Sequence, residues 1–163
     1  MVEKPMKVAI INRSFWPVYP VIGEALLRFA ENSSVQEKSV SVIMQDHTGI
    51  KDRLKEHQRG EGVRFYPVKA LSSSASSVLL RALDAVFFMF WVIGVLLWVR
   101  PKRVYISTDP PVLVPFIVML YSRCFSAEYI YHLQDIHPEA ANVVISVNKW
   151  IYQLLLKMDV LSM

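Results

Sequence analysis

The sequence predicts an α/β domain built on a doubly wound, mostly parallel sheet with helices on both faces. Short apolar runs bounded by polar residues recur along the chain, as strands covered on both faces require. Between them, apolar residues return at spacings of three and four, the period of a helix packed on a sheet. The third observation is YIYHLQDIHPEAA, Tyr129 to Ala141, where an aromatic and β-branched start gives way to His132, Gln134, Asp135, His137 and Glu139. In an open α/β sheet, ligands gather where strands end, so this polar cluster marks a candidate functional edge.

At 163 residues, with 53% hydrophobic and 20% charged, the chain has the size and apolar content of one well-filled domain. The net charge is +4, but basic residues are interleaved with acidic ones and form no run, so nucleic acid is not an expected partner. Cys124 is the only cysteine, which excludes an internal disulfide and makes a reducing cytoplasm the default compartment. The start, MVEKPMKVAII, lacks the long apolar region and small-residue cleavage site of a signal peptide.

The first strand is read at Val8 to Ile11, ending at Asn12. An aromatic and proline-rich loop, Arg13 to Pro20, leads into a helix carrying Ile22, Ala25, Leu26 and Phe29 around Gly23. Ser39 to Met44 and Val63 to Pro67 supply the second and third strands, with a short charged helix between them. Val104 to Ile106 is the fourth strand, and the turn after it contains Ser107, Thr108 and Asp109, the last placed to cap a helix begun by Pro110. That helix, about Pro111 to Phe125, is apolar almost all round and should be buried; Glu128 to Tyr131 returns as the fifth strand. Val147, Trp150, Ile151, Leu154 and Leu155 mark an amphipathic helix, and Asp159, Val160 and Leu161 read as the start of a sixth strand.

Leu71 to Arg100 is open to two readings. Ala85 to Val99 is uncharged and rich in Phe and Trp, but the uninterrupted run is shorter than the roughly 20 residues needed to span a bilayer. Extending it would place Asp84 and Arg81 in lipid at a cost of several kcal/mol. Length therefore favours a buried or interfacial helix over a transmembrane one. Arg100, Lys102 and Arg103 follow at once and suit either anionic headgroups or a solvated helix end.

The familiar signatures of nucleotide and acyl chemistry are absent. The turn after the first strand, NRSFWPVYPVIGEA, lacks G-x-G-x-x-G, and there is no P-loop and no G-x-S-x-G elbow. His132, Asp135, His137 and Glu139 are of types that bind zinc or manganese, but their spacing is not diagnostic and Pro138 disfavours a helical pair. No metal or other cofactor is expected.

Three segments, taken together with the aromatic loop before Gly23, resemble the N-terminal domain of family 4 glycosyltransferases of the bacterial exopolysaccharide or O-antigen type. These are RPKRVYISTDPPVLVPF from Arg100, YIYHLQDIHPEAA from Tyr129, and the closing LLLKMDVLS. The resemblance covers nearly the whole chain and implies one Rossmann-like half of a GT-B fold, residues 1–163, followed by a second, donor-binding domain beyond Met163.

By the resemblance, this half holds the acceptor, a glycan or polyprenyl-linked sugar, while the nucleotide-sugar donor is gripped mainly by the second half. Transfer would then proceed with retention in the cleft between them, and residues 1–163 alone should not turn over. His132 matches a histidine beside the reacting centre, with Asp135 as its partner or an acceptor contact. Ser14, Phe15, Trp16 and Gly23 match the loop facing the donor phosphates, where the family's second glycine is Ile22 here. Thr108, Asp109 and Glu139 complete the expected substrate-binding set. The implied location is cytoplasmic, with peripheral contact of the Phe87 to Trp98 region on the inner membrane face. A sugar-nucleotide epimerase of the same architecture and a non-catalytic membrane-associated module are the competing readings.

Overall fold

The computed structural model describes residues 6–36, 39–72, 76–107, 112–132 and 149–162. Among them the strands are β1 (Lys7–Ile11), β2 (Ser39–Asp46), β3 (Val63–Lys69), β4 (Arg103–Ser107) and β5 (Glu128–His132). The helices are α1 (Pro20–Val35), α2 (Ile50–Glu56), α3 (Val78–Val99), α4 (Leu113–Phe125) and α5 (Lys149–Ser162). The sheet has the order β3-β2-β1-β4-β5 and every pairing in it is parallel. Strand order reverses at β1, so β1 and β4 are neighbours whose connections leave in opposite directions.

Successive side chains of a strand point to opposite faces, and both faces of this sheet are filled. Ile10, Val40 and Val42 pack with Phe15 and with Leu26, Leu27 and Ala30 of α1. Ile11, Ile43 and Ile106 pack on the other side with Phe88, Val92 and Leu96 of α3 and with Val114 and Val118 of α4. Two-sided burial is why β1 reads as a continuous apolar run, while β2 alternates serine with valine before its own apolar run, with Ser41 buried among the apolar residues.

The helix α3 has two unlike faces. Asp84, Phe88, Val92, Val95, Leu96 and Val99 are buried at helical spacing against the sheet. Leu79, Leu83, Phe87, Phe90, Leu97 and Trp98 are exposed, Trp98 to 83%. By length and composition α3 could cross a membrane, yet one side of it is a wall of the protein core. The charge that weighed against a lipid surround has a different place: Asp84 is 1% exposed and faces inward. Its carboxylate accepts from Gln45 Nε2 at 2.9 Å, from the Leu71 backbone N–H at 3.1 Å and from Ser72 Oγ at 2.6 Å. A buried carboxylate so partnered fixes the segment between β3 and α3 to the carboxyl end of β2.

Two expectations are corrected. Asp159, Val160 and Leu161 do not begin a sixth strand; they lie in the last turn and a half of α5. No glycine or proline interrupts KWIYQLLLKMDVLS, and the Val-Leu pair is too short to impose a strand on a run of helix formers. Likewise the helix read from about Pro111 starts at Leu113 with Val112 in the N-cap position, while Asp109 and Pro110 lie outside the described residues. Val112 has φ +63° and ψ −65°, a backbone conformation that a β-branched residue rarely adopts.

Candidate functional site

The site is assembled at the carboxyl edge of the sheet, beginning at the switch point between β1 and β4. Asn12, the residue after β1, and Ser107, the last of β4, are both buried there. Ser107 Oγ donates to Asn12 Oδ1, and Asn12 Nδ2 donates to the Ser14 carbonyl. The Asn12 side chain thus ties β4 to the loop that opens α1. Backbone bonds from Asn12 N to the Ile43 carbonyl and from Gln45 N to the Arg13 carbonyl anchor the same loop to β2.

The loop residues expected to bind substrate have distinct roles. Phe15 is buried in the core, edge-on to Phe65 at 6.3 Å between ring centroids, so only its backbone remains for a ligand. Trp16 precedes the cis peptide bond to Pro17 and meets the His57 ring at 5.3 Å. Gly23 is explained by packing: a Cβ there would lie 2.2 Å from Trp16 N and 2.6 Å from the Phe15 carbonyl carbon. The helix can approach the loop only because no side chain intervenes. Ser14 is half-buried beside Asn12.

His132 is the last residue of β5 and is exposed at the same edge, level with Ser107 in the strand register. Its Nδ1 shares a 2.6 Å hydrogen bond with the Tyr105 hydroxyl from β4. Tyr105 is held in turn by Phe29 of α1, with ring centroids 5.3 Å apart. Burial pushes the Tyr105 phenol above its ordinary pKa, so the hydroxyl keeps its proton across the physiological range. The arrangement fixes the imidazole and leaves Nε2 as the ring nitrogen open to a ligand.

Thr108, Asp109, Asp135 and Glu139 lie outside the described residues, as does His137. Among the described residues no group of three His, Cys, Asp or Glu side chains is placed to hold a metal. Sequence reading did not single out Asn12, Ser107 or Tyr105 as site residues. Asn12 and Ser107 each end an apolar strand with a small polar residue, and that signal was present. Tyr105 lies in the middle of an apolar run, and only the sheet register brings it beside His132.

No family model and no curated protein matches the chain. Among solved structures, one described as the glycotransferase of kitacinnamycin superposes with a TM-score of 0.55 at 14% identity. The match covers 88% of this chain and 36% of that one. The likeness is one of fold. It extends over nearly all of this chain, but this chain spans little more than a third of the neighbour's length.

Proposed function

We propose that this chain is the acceptor-side domain of a glycosyltransferase acting on cell-surface polysaccharide, moving a sugar from a nucleotide-sugar donor to a lipid-linked glycan acceptor. The observation that carries the proposal is the Tyr105–His132 pair at the carboxyl edge of a sheet whose fold is shared with a glycosyltransferase. With Nδ1 engaged by the Tyr105 hydroxyl, Nε2 is the ring nitrogen left to bond an acceptor or leaving-group oxygen. Catalysis in such a cleft rests on positioning and on stabilising charge as it develops. Asp135 serves as a second contact to the acceptor hydroxyl. The donor is held by a second α/β domain, and the sugar is transferred with retention.

The outward face of α3 supports placement on the cytoplasmic face of a membrane. Leu79, Leu83, Phe87, Phe90 and Trp98 form an apolar ridge, and exposed Arg100 and Lys102 follow its end. An exposed apolar ridge with cations at its margin suits the interfacial plane of an anionic bilayer.

The test is incubation of the full-length protein with nucleotide sugars and a lipid-linked acceptor. Acceptor-dependent transfer, lost in His132→Ala, is the expected result. Isomerisation of the nucleotide sugar without acceptor would assign an epimerase. An α3-dependent membrane module with no chemistry would leave His132→Ala indistinguishable from the parent in every assay.

A further inference from the structure

The ridge of α3 is interrupted by Gly94. Phe90, Gly94 and Trp98 follow one another at intervals of four, so the glycine lies between two exposed aromatics on one face. Glycine is among the least favourable residues inside a helix. A close neighbour would account for it, as at Gly23, but a Cβ on Gly94 would meet nothing within 4 Å. The fold gives no reason for glycine here. The result is an apolar cavity of about 300 Å³ lined by Tyr66, Phe90, Trp91, Gly94, Val95 and Trp98. One wall is fixed in advance, since Trp91 Nε1 donates to the Tyr66 carbonyl at 3.1 Å and holds the indole against β3.

We propose that this notch holds one acyl chain of an anionic bilayer phospholipid, a structural lipid and not the acceptor. The inference rests on the interfacial reading of α3. Two features select the occupant. The notch is six residues, about 9 Å along the helix, from Arg100, where exposed Arg100 and Lys102 offer charge to a lipid phosphate. Lys7 Nζ donates to the Val99 carbonyl at 2.9 Å and adds a third cation at this end. In contrast, α3 runs antiparallel to the strands, so its far end, Val78, belongs to the carboxyl edge that carries His132. That end is 16 residues, roughly 24 Å, from Gly94. A lipid whose headgroup reacts beside His132 would not lay its chain here.

The experiment uses the full-length protein and vesicles of phosphatidylcholine and phosphatidylglycerol in which only the phosphatidylglycerol acyl chains are brominated. Tryptophan fluorescence is expected to be quenched through Trp91 and Trp98. Gly94→Leu, which fills open space, should retain the melting temperature and vesicle flotation of the parent while the quenching falls about twofold; Gly94→Ala should give a smaller fall. Unchanged quenching in Gly94→Leu with flotation intact would overturn the notch and leave the interfacial reading standing. Absence of flotation by the parent protein would overturn both. Selective displacement of the brominated chain by farnesyl diphosphate would assign the notch to an isoprenoid acceptor and overturn the structural-lipid assignment.

Discussion

The Tyr105 hydroxyl and His132 Nδ1 lie 2.6 Å apart across neighbouring parallel strands, a diagonal two residues off the Ser107–His132 register pair. The bond restricts an otherwise exposed imidazole. Removing only the hydroxyl, by Tyr105→Phe, should lower kcat for sugar transfer about tenfold with little change in KM, whereas His132→Ala should lower it about 10²-fold or more. Combining the two should cost no more than His132→Ala alone. Steady-state kinetics of the full-length protein check the cycle, and a fully additive double variant would separate Tyr105 from His132.

Gly23 should not tolerate a side chain. A Cβ 2.2 Å from a backbone nitrogen cannot be relieved by rotating a flexible group, so Gly23→Ala should destabilise by about 3 kcal/mol in urea unfolding. The same clash pushes the Phe15–Trp16 loop away from α1, so transfer activity should fall even where the variant remains folded.

Asp84→Ala leaves the Gln45 amide and the Leu71 N–H without their buried acceptor. The expected loss is about 2–4 kcal/mol, read by chemical denaturation. Asp84→Asn keeps one acceptor oxygen and should cost less.

Arg59 joins α1 to the turn before β3, with Nε 2.8 Å from Glu31 Oε1 and Nη1 3.2 Å from Glu24 Oε1. Glu31 is held below the usual carboxylate range chiefly by its hydrogen bond from Arg59, and Glu24 chiefly by Arg28 with a further contribution from Arg59. A depressed folded-state pKa means that the native state binds fewer protons than the unfolded chain as pH falls. The stability from this clamp is therefore present above the ordinary glutamate value of about 4.3 and is lost below it as pH passes through the lowered folded values. Arg59→Met should cost about 1 kcal/mol at neutral pH and less in acid. Melting temperatures measured from pH 7 to pH 3 should converge; parallel curves would refute the assignment.

Trp98 is exposed and its loss should change folding stability by less than about 0.5 kcal/mol. Trp98→Ala should nevertheless weaken flotation with anionic vesicles, and Trp98→Glu should weaken it further. Equal flotation by all three proteins would remove the ridge from membrane contact.

Much of this domain could be read from residue order. β1 was visible as an apolar run because burial on both faces leaves little room for polar residues, and the others showed through short apolar, β-branched and aromatic stretches bounded by polar ones. His132 was visible because a polar group ends its strand. What stayed hidden depended on contacts across the sheet. Tyr105 looks like one more strand aromatic until β4 is set beside β5, and Asp84 looks like a flaw in an apolar helix until Gln45 and Leu71 meet it. The closing segment misled for a local reason: Val160 and Leu161 suit a strand, but nothing before them stops the helix.

The two faces of α3 also bear on how this protein can be handled. Deleting the helix to gain solubility would remove Phe88, Val92 and Leu96 from the core together with the apolar ridge. Detergent would instead be required to shield the ridge, or polar residues could be introduced at Leu79, Leu83, Phe90 and Trp98 alone, with the inward register left intact. Such a surface variant would keep the buried face of the fold while sacrificing the means by which we propose it finds its acceptor.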